Sequence, residues 1–385
     1  MKRIFAAILA LALMLSLSSV YAEEKKLNIV CTTFPSYDWM RNILGDNLYK
    51  VELTLLQDSG ADLHNFQPTA QDFVKVSSAD ILVYIGGPSD TWVDDAVKEA
   101  RNKDMVAVNL LKALGEDAVM DVSVEGMQEG AHAHDHGDEH DEEHADHDDE
   151  HDDHNHEGEI PEEHAAHADE HDGHDHEGET PEEHAAHADE HDHDDHDDHD
   201  HAGHAHNHED EHIWLSLRNA QKLSRVMAME LAFLDPDNAA QYLNNQKAYA
   251  EKLAALDAMY QQAVDAAPNK TLLFGDRFPF RYLVEDYGLA YYAAFSGCSA
   301  ETEASFETVA FLAKKTDELK LPAVLSLDGS DGKLAQAVLN ASADANRSVL
   351  VLDAMQTVNA QMVEEGTTYL GIMEKNLDVL KEALK

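Results

Sequence analysis

Along the chain, short apolar runs alternate with longer stretches in which apolar residues recur every three or four positions. Residues 27–34, 51–56, 81–85 and 105–110 are rich in Val, Ile and Leu, and the first three are each followed by a helix-like stretch (36–44, a segment after Pro68, and one from about 90). Continuous apolar runs of this length read as strands buried on both faces. Thr69 and Asp72 fit a capping box at the start of the second helix. The rhythm returns after Pro268, with strands expected at 271–274, 290–295, 323–327 and 349–352 and helices at 279–287, 305–319, 332–343 and 358–384. Between the halves, a helix from 212 breaks at Asp235-Pro236. A long one follows to 266, with Tyr242, Tyr249, Leu253, Leu256 and Tyr260 near helical spacing.

The expected fold is therefore α/β: two Rossmann-like lobes, each a parallel sheet flanked by helices, joined by one long helix. The boundaries read as 1–22 for an export signal, 23–130 for the N-terminal lobe, 131–211 for a polar insert, 212–235 for a helix completing that lobe, 236–267 for the linking helix and 268–385 for the C-terminal lobe. Ligands of such sheets bind beyond the carboxyl ends of the strands, which places a site in the cleft.

The N-terminus carries Lys2 and Arg3, an apolar run from 4 to 17, and Val20-Tyr21-Ala22 before Glu23. That is the pattern of a cleaved signal peptide, too short for a comfortable membrane span. It implies a mature chain outside the cytoplasm, with no lipoprotein Cys at the cleavage point. Export permits a disulfide between Cys31 and Cys298. Two buried thiols, or thiolate metal ligation, are the alternatives.

The formal charge of −50 is unevenly spread. Residues 131–212 hold 35 of the 77 acidic residues and no Lys or Arg; elsewhere 42 acidic residues face 27 basic ones, a balance of −15. No basic face is available for nucleic acid. The same insert holds 25 of the 26 histidines, all but His64. Residues 156–172 recur almost unchanged at 176–192, a period of 20 with Ile160 replaced by Thr180. With so little to bury, the repeat predicts a disordered segment and not a packed stack. Its imidazoles sit among carboxylates, as in His134-Asp135-His136 and His191-Asp192-His193. His134, His136, His154, His156, His174, His176, His191 and His193 are thus candidates for several weak, interchangeable sites for a borderline metal such as zinc.

His64 lies after the second strand, in His64-Asn65-Phe66-Gln67-Pro68-Thr69. This stretch resembles the H-x-[FY]-x-P-T signature of the zinc- and manganese-specific solute-binding proteins of ABC transporters. Asp210-Glu211-His212-Ile213-Trp214-Leu215 resembles that family's second signature, and Trp92 sits where the family usually carries Trp. The resemblance runs from about Leu27 to Lys385. It implies two lobes bridged by a long helix, one metal in the cleft, a membrane permease as partner and a monomeric binding protein. It also implies a His-rich loop of the zinc members in this place. Carried over residue by residue, the ligands are His64 and His212, with Asp353 after the last strand as an acidic candidate.

The third His of the zinc members is missing, and its place falls on Arg277, which has no lone pair to give. Three resolutions follow: Asp276 turns in as an oxygen ligand, a loop His completes the sphere, or water does while Arg277 pairs with a carboxylate such as Glu303. The functions to weigh are zinc delivery to a permease, a periplasmic zinc buffer, and a manganese-preferring protein of the same fold. A zinc hydrolase would need a general base and an open coordination position, and every His except His64 lies in or at the edge of the insert, so no enzyme is expected.

Overall fold

The computed structural model describes residues 26–128, 208–297, 303–344 and 346–385. The signal segment, residues 131–207 of the insert with its eight named histidines, and Cys298 lie outside these residues.

The N-terminal sheet holds β1 (Leu27–Cys31), β2 (Val51–Leu55), β3 (Ile81–Tyr84) and β4 (Val106–Asn109), all parallel in the order β2-β1-β3-β4. The C-terminal sheet repeats the plan with β5 (Thr271–Phe278), β6 (Ala290–Ser296), β7 (Ala323–Leu327) and β8 (Ser348–Leu352), in the order β6-β5-β7-β8. Each sheet reverses its direction of growth about its first strand. The loops after β1, β3, β5 and β7 therefore open on a crevice.

Helices α1 (Phe34–Leu44), α2 (Ala70–Ser77), α3 (Thr91–Lys98) and α4 (Leu110–Leu114) follow the first four strands. The first strand ends earlier than its apolar run because Pro35 occupies the opening turn of α1, behind the extended Thr33. Thr69 and Asp72 form the expected reciprocal cap of α2. Helix α5 (Leu217–Leu234) starts at Ser216, whose hydroxyl accepts from Asn219 N, and stops at Asp235-Pro236. Helix α6 (Ala239–Ala266) buries Tyr242, Gln246, Tyr249, Leu253, Leu256, Tyr260 and Val264, a stripe at steps of three and four. It packs along α5, α1 and α11 (Tyr369–Ala383), so it touches both halves. The C-terminal lobe also carries α7 (Arg281–Tyr287), α8 (Phe306–Glu318), α9 (Lys333–Ala341) and α10 (Ala360–Glu364).

The lobes share one core. Trp214 Nε1 donates to Ala354 O at 2.9 Å, Tyr369 Oη donates to Trp214 O at 2.6 Å, and Tyr369 meets Trp39 edge-on at 5.4 Å. Strand β5 runs four residues past its expected end through an irregularity between Phe274 and Arg277. Gly275 permits this: a Cβ there would lie 2.4 Å from Ala335 Cα in α9. Cys31 ends β1 as a buried free thiol, and burial pushes its pKa up, away from thiolate chemistry. Among the described residues no helix is long and apolar enough to cross a membrane.

Candidate metal centre

His64 sits in a 3-10 turn, Leu63–Asn65, beyond the end of β2. Asp62 caps that turn, its Oδ1 accepting from His64 N at 3.0 Å. His212 is fully buried immediately before the turn Ile213–Leu215 that leads into α5. Though 148 residues apart, the two rings meet with Nε2 atoms 3.2 Å apart.

The partners of the opposite ring nitrogens fix the tautomers. His212 Nδ1 lies 3.0 Å from Asp210 Oδ1, an acceptor only, so Nδ1 carries the proton. His64 Nδ1 lies 2.8 Å from Ser89 Oγ. That hydroxyl spends its own proton on Glu211 Oε2 at 2.6 Å, so it accepts from His64 Nδ1. Glu211 Oε1 also accepts from Ser89 N at 2.7 Å. A side chain at Gly87 would stand 2.8 Å from Glu211 Oε1, so the glycine at φ 83 admits the carboxylate.

Both Nε2 atoms are therefore bare in the neutral state, with lone pairs facing one another. Two such atoms at this distance share a positive charge between them, either a proton on one ring or a metal ion. Tetrahedral zinc, with Zn–N of about 2.0–2.1 Å, sets its ligand nitrogens about 3.3 Å apart. The pair matches that spacing, and the carboxylate–imidazole arrangement is the one that orients metal-binding histidines.

Charge supports the same direction. Burial alone would lower the pKa of His212, but Asp210 outweighs it, aided by Glu211 and Asp62, and holds it above its ordinary value. Burial works against ionised Glu211, yet the bonds from His64 and Ser89 hold its pKa below the usual carboxylate value.

The structure does not bring the two expected carboxylates to the histidines. Asp276 Oδ2 accepts from Ser326 Oγ at 2.9 Å and Leu327 N at 3.2 Å, and so fastens β5 to the end of β7. Asp353 Oδ1 accepts from Met355 N at 2.7 Å, closing its own turn. Burial, with Asp328 beside it, raises the Asp353 pKa to about 6. Among the described residues no three His, Cys, Asp or Glu side chains converge on one metal position.

Arg277 pairs with Asp62 of the other lobe at 2.9 Å, not with Glu303. Glu303 is exposed, whereas Asp62 is partly buried. Gln356 went unnoticed in the sequence, yet its Nε2 lies 3.1 Å from His212 Nε2. A polar residue three places beyond the strand-end Asp353, after apolar Ala354 and Met355, was its only signal.

The family profile described as "Zinc-uptake complex component A periplasmic" matches residues 29–383. The chain belongs to this family. Members of the zinc-uptake component A family are parts of uptake complexes, and the match covers both lobes and both histidine motifs. Among its relatives, the zinc-binding lipoprotein AdcA of Streptococcus pneumoniae is 26% identical over 360 residues, 93% of this chain and 56% of the relative. The chain thus spans little more than half of that protein. The high-affinity zinc uptake system protein ZnuA of Bacillus subtilis is 25% identical over 366 residues, 95% of this chain and 90% of the relative. The Zn(II)-bound ZnuA-like domain of pneumococcal AdcA superposes with a TM-score of 0.60 at 22% identity, covering 94% of this chain and 99% of that one. The metal-dependent lipoprotein YcdH of Bacillus subtilis gives 0.61 at 23%, covering 93% and 99%. These likenesses establish the fold of the zinc-uptake component A family.

Proposed function

We propose that this chain is an extracytoplasmic zinc-binding protein that takes the ion into the interlobe cleft and passes it to an ABC-type permease. The observation that carries the reading is the pair of bare Nε2 atoms of His64 and His212, 3.2 Å apart. Zinc is the cargo. Asp210 and Glu211 offset its charge through the imidazoles, and protons held at Nδ1 leave both Nε2 lone pairs to the ion. Imidazole ligands with no converging carboxylate suit zinc better than manganese, which prefers oxygen. The names of the relatives, zinc-binding and zinc-uptake proteins, support the same cargo.

The His-rich insert, residues 131–211, acts in this reading as a collector that raises the local zinc supply to the cleft. Its imidazoles load and unload as pH crosses about 6.5. The test is chelator competition on the full chain. His212→Ala removes the tightest zinc class and leaves the weaker, insert-borne classes; retention of that class by His212→Ala overturns the cleft assignment. Zinc-limited growth of a strain carrying the variant reads delivery, and growth equal to wild type would favour a buffer without a permease.

A further inference from the structure

Gln356 stands four residues past β8 and is nine-tenths buried. Its turn is held unusually firmly. Asp353 Oδ1 accepts from Met355 N, and Asp328 accepts from Ala354 N at 2.6 Å and Thr357 Oγ1 at 2.7 Å. Between them Met355, buried and not glycine, adopts a left-handed φ of 62. That conformation costs about 1–2 kcal/mol and persists only where the surroundings over-determine it. Its effect is to aim Gln356 from the C-terminal lobe at the two histidines, with Nε2 3.1 Å from His212 Nε2 and 3.5 Å from Asp62 Oδ1.

We propose that Gln356, through its side-chain carbonyl oxygen, is the third protein ligand of the ion held by His64 and His212. This inference rests on the cleft reading above. The two ends of an amide exchange by a half-turn of the terminal torsion, at little steric cost. Without metal, the N–H end donates to the bare His212 Nε2 and shields the lone pair. With metal, the half-turn presents the carbonyl oxygen at the same place. A separation of 3.1 Å from His212 Nε2 is close to the spacing of two ligands on one tetrahedral zinc.

Three other polar groups near the cleft are poor alternatives. Arg277 has no lone pair, Asp62 Oδ2 is taken by Arg277, and Asp276 is taken by Ser326 and Leu327. A neutral oxygen binds zinc less tightly than an imidazole. The site is thus built to hold the ion yet release it.

The test uses the full chain with zinc chloride and a competing chelator. Gln356→Ala is expected to weaken the tightest class about tenfold or more, and Gln356→His to match or exceed wild type. In protein labelled with 15N-glutamine, the side-chain NH2 pair that vanishes in Gln356→Ala should shift on adding one equivalent of zinc. If His212→Ala loses the tightest class while Gln356→Ala keeps it and the NH2 pair stays put, Gln356 is not a ligand and the cleft reading survives. If His212→Ala also keeps it, the cleft reading itself falls.

Discussion

Arg277 reaches Asp62 across the cleft, its Nη2 2.9 Å from Oδ2, while the other oxygen of Asp62 caps the turn that carries His64. A residue that cannot ligate metal thus positions a proposed ligand. Burial alone would raise the Asp62 pKa, but Arg277 and His64 hold it below its ordinary value. A depressed carboxylate stabilises the fold above its unfolded pKa and loses that contribution as pH falls through the folded value. Arg277→Gln should therefore destabilise the metal-free protein by about 1 kcal/mol at pH 7, with the difference fading below about pH 4, as read by denaturant unfolding.

Asp210 acts through His212 and not on the ion. Asp210→Asn keeps the shape but lets the imidazole take either tautomer, so the tightest zinc affinity should drop about 10–100-fold. Chelator competition checks this, with unfolding midpoints of the metal-free protein as the control for folding.

Zinc and protons compete for the same lone pairs. Because Asp210 holds the His212 pKa above its ordinary value despite burial, affinity at the cleft should begin to fall before pH reaches about 6.5. A titration series from pH 8 to pH 5 checks it; a flat affinity across that range would exclude imidazole ligation.

Asp90, behind Ser89, gives an independent pH signature. Burial pushes its pKa up to about 6 against the bond from Gly86 N, and Glu211 adds to the rise. One of its oxygens has no partner. A raised carboxyl favours folding below its unfolded pKa, and that contribution is lost as pH rises through 6. Asp90→Asn should gain about 1–3 kcal/mol over wild type at pH 8 and close on it by pH 4, measured by urea unfolding.

The fold was legible because both sheets are parallel and buried, so each strand is a continuous apolar run set off by a helix. His64 and His212 were legible because each sits in a short local motif. What escaped was long-range: Asp62 and Arg277 are 215 residues apart, and Gln356 and His212 are 144 apart. The late end of β5 was equally hidden, since it depends on Gly275 lying against Ala335 of α9. Asp276 and Arg277, neighbours in sequence, leave β5 for different partners, which no local pattern encodes.

The most direct measurement is anomalous diffraction at the zinc edge from crystals of the full chain loaded with one equivalent of zinc. The account predicts a single strong peak about 2.0–2.1 Å from both His64 Nε2 and His212 Nε2. A loaded crystal with density elsewhere and no peak between those two nitrogens would contradict it.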